Sequence, residues 1–409
     1  MTRLRLVLAA ALALGLSACG KAAAPDFAGG TPDVAGLTLE TTGGAPDGLT
    51  AGAPDGSPSA LAAASSTAMA AAVNPCQPYE FTCNIRRSIV GVNAFVRVAL
   101  EPVEALVALG PVSDPSDDVR VYGPQPLPPA TPVANFKLTV KSLGDDTFRW
   151  KLEAQATAPA GAPFHTVMAG QLHRGDLPHR GRGVIGIDLD ELHAVNAAAF
   201  TGQGKLLAAF AHVGAQKTLV YAAQAFSADG GAAPVSAVFT GWKDAAGRAR
   251  VRLAANGELV APPAGADLGN ELLLSRIGYW PAVGGRTAVA VLGGDVPAYS
   301  VAGFDVKAFL GLECFGAGVN VTYRAMFVCG TNTSVVPNRN ECHPETGFNG
   351  DTNKAVGTDS SGVPAMGACA PNTDLYDAAT GVGTDPNSTQ TEPGAPTTPD
   401  APPAVMPTF

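Results

Sequence analysis

The sequence predicts a mainly β protein of the α+β class, in which a large curved antiparallel sheet or half-barrel carries one long N-terminal helix on its concave face. Three observations support this prediction: one apolar stripe with helical spacing, about a dozen later segments whose residues alternate, and turn residues between most of those segments. A sheet with so many strands has to curl or split into two layers. A helix with an unbroken apolar stripe is a natural filling for the concave side.

The helix is predicted from eight apolar residues that recur three or four positions apart. They are Phe81, Ile85, Ile89, Val92, Val96, Ala99, Val103 and Leu106. This spacing places all eight on one face of an α-helix, and such a face more often packs in a core than binds a partner. Pro102 predicts that the helix bends or ends near its last turn.

After the helix the apolar period changes to two, which is typical of half-buried strands. Phe136, Leu138 and Val140 alternate with polar residues, the turn Gly144-Asp145-Asp146 follows, and Phe148, Trp150 and Leu152 alternate again. The pattern predicts a hairpin with one apolar and one polar face. Further strands are predicted over 163–173, 181–189, 204–213, 217–227, 234–242, 248–260, 270–279, 286–292, 298–310 and 317–329.

The composition divides the chain into a folded region and two flanks. Residues 19–74 are rich in Ala, Gly, Pro, Ser and Thr and are predicted to form a disordered linker, because they lack the apolar residues needed to offset ordering entropy. Residues 75–310 are predicted to form the helix and sheet, and residues 311–375 a Cys-rich extension of the same domain. Residues 376–409 are predicted to be a disordered Pro/Thr-rich tail.

The first eighteen residues have the features of an export signal. Arg3 and Arg5 precede an apolar run from Leu6 to Leu16 that is too short to span a bilayer as a stable helix. Leu16-Ser17-Ala18-Cys19 follows at the distance from the charges that a cleavage site requires. A buried cysteine after an ordinary secretory signal is the alternative, since Ser17-Ala18 also fits the small-residue cleavage rule.

These four residues resemble the lipobox of bacterial lipoproteins. The resemblance implies cleavage before Cys19, a diacylglycerol on the Cys19 sulfur, and acylation of the new amine, for example with palmitate. Several acyl chains bind a membrane far more firmly than one. An Asp at the next position would resemble an inner-membrane retention signal. Gly20 stands there instead, which favours the outer membrane, with the protein facing either the periplasm or the exterior.

The charge of the chain argues against a nucleic-acid partner. The formal net charge is −9, and it becomes −11 when residues 1–18 are removed with their two arginines. Lys and Arg are scattered singly and form no basic cluster. The predicted partners are therefore the membrane, through the acyl anchor, and an apolar ligand. The sequence indicates no protein partner.

Six cysteines remain besides Cys19, and an even number in an exported chain favours disulfides. They are Cys76, Cys83, Cys314, Cys329, Cys342 and Cys369. We expect a local Cys76–Cys83 bridge and two bridges among the last four. An alternative pairing ties the helix to the C-terminal segment. A zinc site beside His343 is a weaker alternative, because no CxxC pair occurs.

Two titratable groups are candidates for metal or acid–base chemistry. The first is Asp188, Asp190, Glu191 and His193, for which we expect that Asp190 caps a short helix over 191–199. The second is the loop with His173, Asp176 and His179, whose proline and arginines favour a polar turn over a metal site. Neither a G-x-S-x-G elbow nor a phosphate-binding loop occurs. The sequence therefore predicts no enzyme, no catalytic residue, no metal and no cofactor.

The segment Gly183-Val184-Ile185-Gly186-Ile187-Asp188-Leu189-Asp190-Glu191-Leu192 reads as a strand that runs into a short helix. Together with the long helix and the wide meander, it resembles the lipid- and lipoprotein-carrier half-barrels of the bacterial envelope. The resemblance implies an acyl chain or another apolar ligand on the concave face. The candidate lining residues are Phe136, Leu138, Phe148, Trp150, Leu152, Phe239 and Val251. The alternative is a structural or interaction lipoprotein whose core is fully packed and holds no ligand.

Overall fold

A computed structural model describes nine ranges of the chain. They are residues 26–32, 37–38, 80–127, 134–175, 181–227, 234–257, 268–280, 284–316 and 321–344. Cys19, Cys76, Asp176, His179 and Cys369 lie outside these ranges, as do the predicted signal and tail.

One long helix, α1, spans Phe81–Leu109 and precedes the sheet. It begins 80 residues into the chain, so it is N-terminal to the strands but not to the protein. Seven of the eight residues of the predicted stripe are buried, and Val92 is partly buried against the same core. Pro102 lies inside the helix and does not end it, since α1 continues for two further turns.

The described strands form one antiparallel sheet in which each strand pairs with its neighbours in the chain. The strands are β1 Ser113–Ser116, β2 Val119–Pro126, β3 Ala134–Gly144, β4 Thr147–Ala156, β5 His165–Arg174, β6 Gly181–Asp188, β7 Gln203–Val213, β8 Gln216–Ser227, β9 Val235–Lys243, β10 Ala249–Gly257, β11 Glu271–Trp280, β12 Gly284–Gly293, β13 Phe304–Phe315, β14 Val321–Asn332 and β15 Arg339–Pro344. A short helix, α2 Leu189–Val195, joins β6 to β7, and a 3₁₀ turn, Val296–Tyr299, precedes β13. The mainly β prediction and the antiparallel meander are confirmed.

The face of the sheet that packs against α1 is called the inner face here. Its middle is a row of directly opposed residues that crosses eleven strands, from β3 to β13. The row is Val140, Trp150, Gly170, Ile185, Ala208, Tyr221, Phe239, Leu253, Ser275, Val289 and Gly311. We refer to it as the central row. Trp150, Tyr221 and Ser275 carry its only polar side-chain atoms, so the inner face is apolar over most of its width.

The sheet is curved, and α1 lies across its concave side. The helix contacts β12 and β13 at its start and β2 and β3 near its end. In a flat sheet β2 and β13 would lie at least about 50 Å apart, because neighbouring strands are separated by about 4.8 Å. The helix covers only about 36 Å between Thr82 and Leu106, at 1.5 Å per residue. One helix can contact both regions only if the sheet bends around it.

The structure differs from the predicted boundaries at the two edges of the sheet. Strands β1, β2 and β15 were not expected, because they are short or polar and β2 is interrupted by Gly123-Pro124. The segment 298–310 was predicted as one strand, whereas a 3₁₀ turn occupies its start and β13 begins at Phe304. Pro297 favours the first turn of a helix and cannot donate a hydrogen bond to a sheet.

Candidate functional site

The seven predicted lining residues all lie on the inner face, within one apolar cluster. Their exposed fractions range from 0% for Leu138 and Trp150 to 7% for Val251. The same cluster contains the buried stripe of α1 from Ile85 onward, so the helix and the strands bury these side chains together. The structure therefore brings together all seven residues that the alternating pattern selected.

Helix α1 contacts the inner face along its whole length. The Phe81 ring lies directly over Gly311 of β13, and Leu106 lies beside Gly123 of β2. In the middle, the ring of Phe95 meets Phe226 of β8 edge-on, with 6.5 Å between the ring centroids. The helix thus crosses the face diagonally.

Trp150 is the largest buried side chain of the inner face. Its indole lies over Gly170 of β5, so close that a Cβ at residue 170 would sit 2.7 Å from the ring. Among the described residues, the indole N–H of Trp150 has no hydrogen-bond partner, and neither does the hydroxyl of Ser275. Two polar groups on the central row are therefore buried in an apolar surface without a partner, which is costly in a folded protein.

A buried polar cluster holds the start of α1. The residue before the helix, Glu80, makes no side-chain cap, and the first turn contains no acid. Instead, the carboxylate of Glu313 on β13 accepts a hydrogen bond from the Thr82 N–H at 2.5 Å and one from Arg324 Nε at 2.6 Å. The Thr82 hydroxyl lies 2.8 Å from that of Thr287. Sequence reasoning missed this cluster, because alternation assigns Glu313 to a face but not to a partner.

A second group of residues on the inner face comes from the segment that was predicted to be linker. Residues 26–32 and 37–38, here called the docked segment, lie against the sheet, and Phe27 and Leu37 are buried in the apolar cluster. The Phe27 ring meets Phe148 edge-on at 6.0 Å, and the guanidinium of Arg120 lies 4.4 Å from the centre of the Phe27 ring. Phe27 and Leu37 are ten residues apart in a stretch rich in Ala, Gly and Pro, so neither a helical nor a strand period identifies them.

Polar contacts complete the attachment of the docked segment. Asp26 forms an ion pair with Arg174 at the end of β5, with 2.6 Å between Oδ2 and Nη1. The Tyr221 hydroxyl and the Lys217 ammonium of β8 donate hydrogen bonds to the backbone carbonyls of Leu37 and Thr38. Burial raises the pKa of Tyr221.

Two of the carboxylates at the end of β6, those of Asp188 and Asp190, accept hydrogen bonds from backbone N–H groups. Asp188, and not Asp190 as predicted, caps the short helix: its carboxylate accepts a hydrogen bond from the Glu191 N–H. The helix starts at Leu189, two residues earlier than predicted, and it buries Leu189, Leu192 and Val195. Asp188 also pairs with Lys205 at 2.8 Å, and this hydrogen bond and charge raise the pKa of Lys205. Asp190 instead accepts a hydrogen bond from the Gly204 N–H.

The histidines near this region also have partners. His193 Nδ1 lies 2.6 Å from the Phe200 carbonyl, and His165 Nδ1 lies 2.7 Å from a Glu191 oxygen. His173 Nδ1 lies 3.0 Å from the Thr147 hydroxyl. Within the described ranges, no three side chains of the types that ligate metals form a group.

Two buried carboxylates, Glu271 at the start of β11 and Asp295 after β12, were not expected to act together. Glu271 accepts a hydrogen bond from the Asp295 N–H, and Asp295 accepts one from the Leu268 N–H, both at 2.7 Å. Both carboxylates are fully buried. Their partners are backbone donors of the connections between β10 and β11 and between β12 and β13, so they fix these two loops to each other.

The structure shows one of the predicted bridges. Cys329 of β14 and Cys342 of β15 are directly opposed and form a disulfide, as expected for two of the last four cysteines. Cys83 and Cys314 are disulfide-bonded as well. Cys83 is next to Thr82 and Cys314 is next to Glu313, so oxidised cysteines flank the polar cluster at the start of α1.

The described helices include none that is both long enough and apolar enough to cross a membrane. Comparisons of the chain with protein-family models, with curated proteins and with solved structures find no match.

Proposed function

We propose that this chain is a lipid-anchored protein of the bacterial outer membrane that binds or carries an acyl chain or another apolar ligand on its inner face. The observation that carries the proposal is the central row, which extends an apolar surface across eleven strands. An apolar ligand would be held there by burial, and no chemical step is required of the protein.

Polar atoms on the same face support an amphiphilic ligand. The indole N–H of Trp150 and the hydroxyl of Ser275 are buried without a partner among the described residues. Both can donate a hydrogen bond to a carbonyl or carboxylate oxygen of a ligand, which would remove the cost of burying them unpaired. An acyl chain with an ester or acid group has both an apolar tail for the inner face and an oxygen that accepts a hydrogen bond from these donors.

A packed core without a ligand is the second candidate function, and a specific observation favours it. The seven candidate residues are at most 7% exposed, with α1 and the docked segment against them. Under this candidate the protein is a structural or interaction lipoprotein, and its inner face serves only folding.

Extraction of bound lipid separates the two candidates. The full chain with Cys19→Ser carries no lipid at residue 19, so any acyl lipid that co-purifies from the envelope is bound non-covalently. We expect a stoichiometric amount of such lipid in native mass spectra and in solvent extracts. Its absence from both would contradict ligand binding and support the packed core.

Labelling tests the anchor. Cells that express the parent chain are grown with labelled palmitate, and the label is expected in this polypeptide and in the Ser17→Ala control, whose lipobox keeps a small residue. The Cys19→Ser chain should carry no label and should leave the membrane fraction. An unlabelled parent, together with a Cys19→Ser chain that stays in the envelope, would refute the anchor.

A further inference from the structure

The docked segment lies at one end of the sheet. The turns that join β3 to β4, β5 to β6 and β7 to β8 all lie at this end, because successive strands are antiparallel. Asp26 pairs with Arg174 beside the second of these turns, and Thr38 is bound by Lys217 beside the third. We call this opening of the concave side the turn-end mouth.

The docked segment and α1 contact different residues of the sheet, although both reach β2 and β8. The helix begins over β12 and β13 and ends over β2 and β3. The docked segment contacts β4, β5 and β8 through Phe148, Arg174 and Tyr221. It therefore closes the turn-end mouth on the side where the predicted lining residues of β4 lie.

The attachment of the docked segment is weak compared with that of α1. Its buried apolar side chains are only those of Phe27, Pro32 and Leu37 among its described residues, whereas fixing the backbone of nine residues costs entropy at each one. In the Asp26–Arg174 ion pair, the Asp26 side chain is 58% exposed and the Arg174 side chain 35% exposed. Ion pairs as exposed as this one add little to stability. A segment of this kind opens locally far more often than the sheet unfolds.

We propose that the docked segment is a displaceable plug, and that an acyl chain enters through the turn-end mouth by replacing Phe27 and Leu37. This inference rests on the proposed function, since it needs an apolar ligand. The two side chains are already buried in the apolar cluster at this mouth. The Phe27 ring lies beside Phe148, and the Leu37 carbonyl accepts a hydrogen bond from Tyr221. An acyl chain fits the same positions because it requires apolar contacts and no specific hydrogen bonds.

The position of the plug in the chain places this mouth close to the membrane. Asp26 follows Cys19 by seven residues. Seven extended residues span at most about 25 Å. A lipid-anchored chain with the plug docked therefore has the turn-end mouth within reach of the bilayer, which is the source of acyl chains.

A fluorescence titration with 11-(dansylamino)undecanoic acid tests the plug. The full chain with Cys19→Ser is compared with the same chain that also carries Phe27→Ala and Leu37→Ala. We expect the plug variant to bind the probe on the order of 10-fold more tightly, because a larger fraction of its molecules has an open mouth. Val213→Ala is the matched control: it removes methyl groups from a side chain that is 70% exposed at the same end, and the affinity should not change.

The outcomes separate the plug from the proposed function. If the parent binds the probe and the plug variant binds it equally or more weakly, the plug is refuted and ligand binding stands. If no chain binds the probe, ligand binding and the plug are both refuted.

Hydrogen exchange of the Cys19→Ser chain is a second measurement that needs no change in the plug. Saturation with the probe should speed exchange of the amides in residues 26–32 while those of α1 stay protected. Unchanged protection of residues 26–32 with the probe bound would refute displacement, even if the plug variant fails to fold.

Discussion

The carboxylate of Glu313 on β13 accepts a hydrogen bond from the backbone N–H of Thr82, which is 231 residues earlier in the chain. This contact satisfies one of the free N–H groups that every helix has at its start. It also places a negative charge at the positive end of the helix dipole. The contact therefore fixes the start of α1 to the far part of the sheet.

Replacement of Glu313 should destabilise the fold more than any exposed acid does. Glu313→Ala leaves the Thr82 N–H and the mostly buried Arg324 without this carboxylate, and we expect a loss of about 3–5 kcal/mol in the free energy of unfolding. Glu104→Ala, an exposed change on the same helix, is the control and should cost less than about 0.5 kcal/mol. Urea unfolding of the variants measures both values.

A double variant tests whether Arg324 contributes to that loss. Arg324→Met in the Glu313→Ala chain removes the remaining buried charge, so the pair of changes should cost less than the sum of the single changes. Additive costs would show that the ion pair at 2.6 Å does not couple the two residues.

The disulfide between Cys329 and Cys342 should stabilise the last strand of the described sheet. Its two residues are 13 apart in sequence, and a loop of that length gives about 3 kcal/mol in the chain-entropy estimate. A chain with Cys329→Ser and Cys342→Ser should lose stability of that order and exchange the amides of β15 faster. A β15 as protected as in the parent would show that strand pairing alone holds it.

Gly170 should not tolerate even a methyl group. A Cβ at this position would lie 2.6 Å from the Val184 carbonyl oxygen and 2.7 Å from the Trp150 ring. We expect Gly170→Ala to cost about 1–3 kcal/mol, as over-packing of a core does, and to change the fluorescence of Trp150. Gly316→Ala is the matched control, because a Cβ at residue 316 meets nothing within 4 Å. Equal stabilities of the two variants would contradict the close contact.

The sequence predicted the elements whose signal is periodic. The stripe from Phe81 to Leu106 identified α1, because the pattern spans many positions. Alternation identified β3 to β12 and β14 to within a few residues, whereas the bounds predicted for β13 lie too early in the chain. Alternation also selected the side of the sheet on which Phe136 and Trp150 are buried.

Features that depend on one or two residues were not predicted. Phe27 and Leu37 lie in a segment rich in Ala, Gly and Pro that has no regular apolar period, and the burial of each depends on a surface formed by distant strands. The sequence predicted Asp190 as the cap of α2, whereas Asp188 is the cap. Both aspartates suit a helix start, and only the packing of Leu189 decides between them. The function of Glu313 as a cap needs the three-dimensional path of α1, which no local pattern contains.

Tyr221 connects the sheet to the docked segment by a hydrogen bond that requires its hydroxyl to be protonated. Its hydroxyl donates a hydrogen bond to the Leu37 carbonyl, and burial raises its pKa above the ordinary value of 10.0. A pKa that is higher in the folded chain than in the unfolded chain means that folding favours the protonated form. The resulting stability is complete below pH 10 and is lost as the pH rises from there through the folded pKa.

Tyr221→Phe should therefore lower the free energy of unfolding at pH 8 and also change how that free energy depends on pH. At pH 8 the variant should lose about 0.5–1.5 kcal/mol, because one hydrogen bond to the docked segment is gone. Between pH 8 and pH 11 the parent should lose more stability than the variant, since only the parent has this hydroxyl, and its ionisation in the unfolded chain favours unfolding. Urea unfolding at the two pH values measures the difference.

Tyr299→Phe, at a side chain that is 37% exposed, controls for the loss of a tyrosine hydroxyl and should cost little at pH 8. Parallel pH profiles of the parent and Tyr221→Phe would contradict a buried, protonated Tyr221.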